Sequence, residues 1–205
     1  TSALGRAYLS TLPEAERVNG LAEILKHALI ADAGLLRFLE QHAPAALALD
    51  PAAVEHLVGE SVAIKAAVVG RDEREQGDRR TLNFGHTLGH AVERTLGVAH
   101  GAAVSVGMAF AVALSVRRGL LAAGDQERIL RLMRELRLPC RAAADPGRIV
   151  DAVRHDKKRD GSAVRFVLLA GIGRAVVEEI PLAEITEAVG GFPEIIQTKP
   201  TGGQT

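Results

Sequence analysis

The stretch TLNFGHTLGHAVERTLGVAHGAAVSVGMAFAVALSV, residues 81–116, decides the architecture. Its second half, Ala102 to Val116, holds no charged residue and is apolar on every side. A helix that is hydrophobic all round belongs inside a core or a membrane. This run contains serines and a glycine and is shorter than a bilayer span, so a buried helix ending near Arg118 is expected. The first half reads as one helix carrying Gly85 and Gly89. Glycine within a helix costs roughly 1 kcal/mol against alanine, so both glycines are expected where another element comes close. Residues 97–101 make the break between the two helices.

Helical signals continue on both sides. Upstream, Thr11, Pro13 and Glu14 form a helix start, with proline and acid favoured in the first turn. Val18, Leu21, Leu25 and Leu29 then recur on one side. A second helix is expected over about Asp32–Gln41. A third starts at Asp50-Pro51, with Val54, Leu57, Ser61 and Ile64 or Lys65 in period. RDEREQGDRR, residues 71–80, reads as a charged loop. Downstream, helices are expected from Asp125 to Leu136 and from Asp145-Pro146 onward. Period-two, β-branched character comes only near the end. VRFVLLAG and RAVVEEI, separated by Gly171–Gly173, read as a hairpin. The sequence therefore predicts a mainly α, multi-helix domain over residues 1–190 with a small C-terminal β-hairpin. Residues 191–205 are expected to be a disordered tail.

The totals exclude several classes. Of 205 residues, 47% are apolar and 24% charged, as in an ordinary globular domain. Twenty-five basic residues balance twenty-five acidic ones, leaving no long-range field to draw nucleic acid or an anionic membrane. One cysteine, Cys140 beside Pro139, excludes an intrachain disulfide and a thiolate metal cluster and fits a reducing cytoplasm. The first residue is Thr1, so the chain is expected to be a piece of something longer.

Three of seven histidines fall within fifteen residues: His86, His90 and His100. His86 and His90 are four apart and share a helix face. Zinc proteases use such a pair with glutamate after the first histidine, but Thr87 stands there, so that chemistry is rejected. The pair is either metal-binding or two hydrogen-bonded core histidines. His100, in the turn before the apolar helix, is placed to lean back toward His86. A catalytic zinc takes three protein ligands and keeps one position open. Glu23, off the Leu21/Leu25 stripe, is the candidate oxygen ligand; otherwise it is an exposed helix glutamate. Lys26, Lys65, Arg79, Lys157 and Lys158 are scattered cations that a fold could converge on a carboxylate or phosphate. Lys65 lies in the apolar segment AIKAAVV, an unusual place for a solvated charge. His27, His42, His56 and His155 follow no usable pattern.

Four blocks resemble the dehydroquinate synthase family, in its order: NGLAEILKHALIAD (19–32), EREQGDRRTLNFGHTLGHAVE (73–93), HGAAVSVGMAFA (100–111) and DKKRDGSAVRFVLLAGIGRA (156–175). The resemblance covers most of residues 10–190. It implies Zn2+ or Co2+ held by Glu23, His86 and His100. His90 would handle substrate or a proton rather than the metal. Lys26, Lys65 and Glu75 match catalytic positions, and Arg79, Asn83 and Lys157 or Lys158 match substrate-binding ones. The implied reaction closes 3-deoxy-arabino-heptulosonate 7-phosphate to 3-dehydroquinate in the shikimate pathway, with NAD oxidised and reduced within each cycle. A cytoplasmic homodimer is implied as well.

Two departures accompany it. The family's NAD-binding domain is expected before residue 1, and this stretch alone is expected not to turn over. Ala102 also stands where the family commonly carries glutamate. Two rival readings follow: a related sugar-phosphate cyclase of aminocyclitol biosynthesis, or a truncated non-catalytic domain. Retention of His90 with Asp156, Lys157 and Lys158 favours dehydroquinate synthase.

Overall fold

The computed structural model describes residues 13–72, 78–156 and 163–197. Three helices come first. Pro13 precedes α1 (Glu14–Ala31), whose first turn carries Glu14 and Glu16. Asp32 caps α2 (Ala33–Leu47) by accepting from the amides of Gly34 and Leu35 at 2.6 and 3.1 Å. α2 runs past the expected end at Gln41 across a kink at His42, where the φ of −123° accommodates Pro44. Asp50 caps the expected third helix, α3 (Pro51–Asp72), through the amides of Ala52 and Ala53.

The glycine-bearing segment differs from the single helix expected. A 3-10 turn covers Asp78–Asn83, and α4 spans only His86–Leu96. Between them Gly85 has a φ of +80°, in the left-handed region. A Cβ there would also lie 2.6 Å from the Met108 side chain. The break turns His86 into the first residue of a helix. After Gly97, α5 (His100–Arg117) follows as expected.

α5 is the axis of the fold, with fourteen buried residues from Gly101 to Ser115. One side (Val104, Met108, Ala111, Val112) packs with Leu25 and Leu29 of α1, Leu36 and Leu39 of α2, and Ile129 and Leu132 of α6 (Ala123–Glu135). The other side (Ala103, Val106, Phe110, Leu114) packs with α7 (Pro146–Asp156), the hairpin and α8 (Leu182–Gly191). Each fully buried leucine or phenylalanine contributes about 1.5–3 kcal/mol over its exposed state. By length and composition α5 could also span a membrane, but 78% of it is buried within the fold, which makes it a core helix.

The hairpin is antiparallel: β2 (Ala163–Leu169) pairs with β3 (Ala175–Pro181), Val167 opposite Val177. A two-residue parallel pair was not expected: β1 (Ala142–Ala143) with β4 (Ile196–Gln197). Ile195 and Ile196 are 2% exposed, so the packed chain extends beyond Gly190 to at least Gln197. The expected tail is corrected to that extent. Its remaining residues lie outside the described ones. The architecture is otherwise as read: helical, with one small hairpin.

Candidate metal and substrate site

Close backbone approach assembles the site. Gly101, at the start of α5, lies so near α1 that a Cβ would stand 2.4 Å from the Asn19 Cα. Gly107 meets α4: its Cβ would stand 1.9 Å from the Gly85 carbonyl oxygen. Any side chain at either position pushes the helices apart. These contacts bring His100 beside α1 and hold the beginning of α4 against α5.

Around that junction Glu23, Lys26, Lys65, Asn83, His86 and His100 line one cavity of about 350 Å³. They come from α1, α3, the 3-10 turn and the beginnings of α4 and α5. His90 lines a neighbouring cavity of about 260 Å³, together with Arg80, Thr87 and Arg165. Asn83 and His86 line both cavities and so form the wall between them. The three histidine rings stand close: 5.5 Å between the centroids of His86 and His90, 5.4 Å for His86 and His100, and 6.0 Å for His90 and His100.

Two of those rings are anchored alike. Nδ1 of His86 lies 3.2 Å from the Phe84 carbonyl oxygen, and Nδ1 of His100 lies 2.9 Å from Glu93 Oε2. Both partners accept, so Nδ1 donates in each ring, which in the neutral form leaves the lone pair on Nε2. That is the tautomer a metal ligand needs. Burial pushes the His86 pKa down to about 4, with Lys26 adding to the effect, so the ring is neutral near pH 7.

Glu23 and Lys26 form a pair three residues apart on α1. The Lys26 ammonium donates to both Glu23 oxygens, at 2.9 and 2.7 Å. Burial raises the carboxyl pKa, but the bond and charge of Lys26, helped by His86, outweigh it and hold Glu23 below its ordinary value. Burial also lowers the Lys26 pKa, which Glu23 partly restores. Lys26 itself is only 4% exposed, an environment that demands such a partner. As placed, Glu23 faces Lys26, and among the described residues no three His, Cys, Asp or Glu side chains stand at ligating separation. The donor set nevertheless suits a divalent cation: two imidazoles anchored through Nδ1 and one carboxylate around one cavity.

Other sequence expectations fare differently. Lys65 lies on an exposed stretch of α3, because only one side of that helix (Ala53, Leu57, Ser61, Val68) packs inward; Val62 opposite is 61% exposed. Arg79 is exposed and lines neither cavity, whereas its neighbour Arg80 lines the second. Glu75, Lys157 and Lys158 lie outside the described residues. His42 is structural, bonded to the Phe38 carbonyl at 3.0 Å and stacked on the Phe38 ring. Cys140 sits half-buried, its thiol pushed up mainly by burial, as an inert cysteine does.

Two residues went unrecognised in the sequence. His27 is buried, bonded through Nδ1 to Ser61 Oγ at 2.7 Å, and lines the first cavity. Its Nε2 has no partner among the described residues. Glu93 is the acceptor for His100. Neither contact has a helical spacing signal: Ser61 is 34 residues from His27, and Glu93 reaches His100 across a turn.

A helical domain with a nitrogen- and oxygen-lined cavity where four helices and a 3-10 turn meet defines a class, and comparison with known proteins gives it a family. The family model described as 3-dehydroquinate synthase C-terminal matches residues 20–159, so the chain belongs to that family. It is 44% identical over 191 residues to the 3-dehydroquinate synthase of Acidithiobacillus ferrooxidans, covering 91% of this chain and 52% of the relative. It is also 44% identical over 174 residues to that of Dehalococcoides mccartyi, covering 83% and 48%. The chain thus spans about half the length of these relatives.

Solved structures agree on the fold. A 2-epi-5-epi-valiolone synthase from Streptomyces hygroscopicus subsp. jinggangensis, with NAD+ and Zn2+ bound, aligns at a TM-score of 0.79 and 33% identity, covering 92% of this chain and 54% of that one. A 2-deoxy-scyllo-inosose synthase complexed with carbaglucose-6-phosphate, NAD+ and Co2+ aligns at 0.76 and 25% identity, covering 88% and 53%.

Proposed function

We propose that this chain is the metal- and substrate-binding half of a 3-dehydroquinate synthase, acting on 3-deoxy-arabino-heptulosonate 7-phosphate to give 3-dehydroquinate and phosphate. The observation that carries the proposal is the convergence of Glu23, Lys26, Lys65, Asn83, His86 and His100 on one cavity. The family membership supports it. NAD would be handled by the half of the relatives that this chain does not match. A cytoplasmic homodimer belongs to the same proposal.

Glu23, His86 and His100 would hold Zn2+ or Co2+. When bound, the ion polarises the hydroxyl undergoing transient oxidation. With Glu23 engaged by the ion, the Lys26 ammonium would be available to a substrate oxygen in the same cavity. Lys65, opposite on α3, supplies a second positive charge for the substrate carboxylate. Asn83, in the shared wall, positions a hydroxyl. His90, one cavity further on, holds or moves a proton near the departing phosphate, with Arg79 outside and Glu75 and a lysine of the 157–158 pair completing the set. Phosphate leaves, and ring closure forms a carbon–carbon bond without net oxidation.

The aminocyclitol reading has a specific observation behind it: the structural neighbours are synthases of that kind. Their identities of 33% and 25% fall below the 44% of the dehydroquinate synthases. The substrate carboxylate discriminates between them, because a glucose 6-phosphate analogue lacks one.

The test measures metal content of the purified chain, then thermal stability with the heptulosonate phosphate and, separately, with carbaglucose-6-phosphate. One metal per chain and stabilisation by the carboxylate-bearing ligand alone are expected. Stabilisation by the carbaglucose analogue alone would transfer the reading to the aminocyclitol class. Absence of both metal and stabilisation would overturn the proposal that this half carries a preformed site.

A further inference from the structure

We infer that Glu93 is the positioning residue for His100, holding the ring so that Nε2 faces the metal. The inference rests on the metal site proposed above and adds a residue to it. Glu93 sits in the last turns of α4, and His100 opens α5. Gly97, with a φ of +65°, turns the chain between them and returns His100 within reach of the carboxylate. The Nδ1–Oε2 distance of 2.9 Å is that of a charge-assisted hydrogen bond.

The parallel with His86 sets this contact apart from an incidental surface pair. His86 has the same need, met by the backbone carbonyl of Phe84, a residue with 0% exposure. His86 is therefore oriented by the core. His100 has a side chain 42% exposed, so burial holds its ring less firmly. In this position a carboxylate does what the buried carbonyl does for the other ligand. It fixes the tautomer, sets the ring plane and raises the basicity of the coordinating nitrogen. Glu93 lies outside the cavity lined by Glu23, His86 and His100, so it acts through His100 rather than as a ligand.

Exposure separates this role from a structural one. With side chains 38% and 42% exposed, the pair contributes little to folding stability. Metal affinity should respond while stability does not.

The test uses the 205-residue chain in three forms: unaltered, Glu93→Ala and Glu93→Gln. Zinc affinity is measured by chelator competition, cobalt coordination by its visible absorption, and the His100 tautomer by nitrogen NMR of the metal-free protein. Expected are zinc affinity about 10–100-fold weaker in Glu93→Ala with one metal still bound at saturation. The cobalt bands should shift, the metal-free melting temperature should stay put, and His100 should lose its Nδ1–H tautomer. Glu93→Gln, whose amide oxygen can still accept, should recover most of the affinity and the tautomer. Equal affinity and spectra in all three forms would overturn the inference. So would an Nε2–H tautomer at His100 in the unaltered chain, or loss of one coordinated ligand in both variants, which would make Glu93 itself a ligand. An unaltered chain that takes no metal would bring down the metal-site reading and this inference with it. Equal binding by all three forms would bring down this inference alone.

Discussion

The two walls of the cavity are built differently. On the inner wall, Lys26 and His27 are buried and His86 is tied to the backbone of a residue without solvent contact. On the outer wall, His100 is half-exposed and held by a side chain. The inner wall is thus a product of core packing, fixed wherever α1, α4 and α5 are in contact. The outer wall is placed by the same helix contacts, but its ring is oriented by a polar contact that burial does not enforce. Changes on the inner wall should therefore cost stability and site together, whereas changes on the outer wall should cost the site alone.

The largest effect is expected at Gly107. A Cβ there would fall 1.9 Å from the Gly85 oxygen, a backbone atom that cannot step aside without moving α4. Gly107→Ala is expected to lower unfolding stability by about 3 kcal/mol, the upper end of the usual overpacking range, and to lower metal affinity with it. Urea denaturation and zinc titration of the same protein check both. A stable variant with an intact metal site would show that packing does not set the inner wall.

Next come the proposed ligands. Glu23→Ala and His86→Ala should each abolish stoichiometric metal, a larger loss than the roughly 10–100-fold expected of an outer-shell residue. Glu23→Ala should also destabilise the metal-free chain, because Lys26 stays buried without its carboxylate. Full metal content in both purified variants, read by elemental analysis, would remove the ligand assignment.

The inner wall also has a pH signature at His27. Its pKa is pushed down to about 4 mainly by burial, with Lys26 and Lys65 adding to the shift and Glu23 opposing it. In the unfolded chain it titrates near 6.5. Above that pH the ring is neutral in both states and costs nothing. As pH falls from 6.5 toward 4, the unfolded state takes up a proton that the folded state refuses. Stability then falls by up to about 1.4 kcal/mol per pH unit. His86, also held at about 4, adds a like slope, so His27→Gln should roughly halve the combined one in urea midpoints measured between pH 7 and 5 on metal-free protein. An unchanged slope would place the proton uptake elsewhere.

The same contrast explains what could be read from the sequence. The burial of α5 was legible because an uncharged fifteen-residue run has few other homes, and the hairpin because period-two branched residues flank a glycine turn. The histidine cluster showed in spacing alone. The break at Gly85 did not, because a left-handed residue between two helical pieces leaves the helical period intact. Pairing of Ala142–Ala143 with Ile196–Gln197 had no local trace either. The exposed side of α3 looked like core because composition cannot say which side of an apolar helix gains a neighbour. The partners of His27 and His100 needed the fold, since both contacts form between elements.

The smallest effect on metal is expected at His90, which makes it the sharpest probe of where the outer wall ends. Its ring is 5.5 Å from His86 and 6.0 Å from His100, near enough by distance alone to belong with the ligands. It lines the second cavity with Arg80 and Arg165 rather than the one shared by Glu23 and His100. His90→Ala should therefore change zinc affinity by less than the roughly tenfold minimum for losing an outer-shell partner. Stabilisation by the phosphate-bearing ligand should fall instead, because the altered side chain faces the cavity assigned to that end of the substrate. Loss of zinc in this variant would make His90 a ligand and extend the metal site across the wall formed by Asn83 and His86.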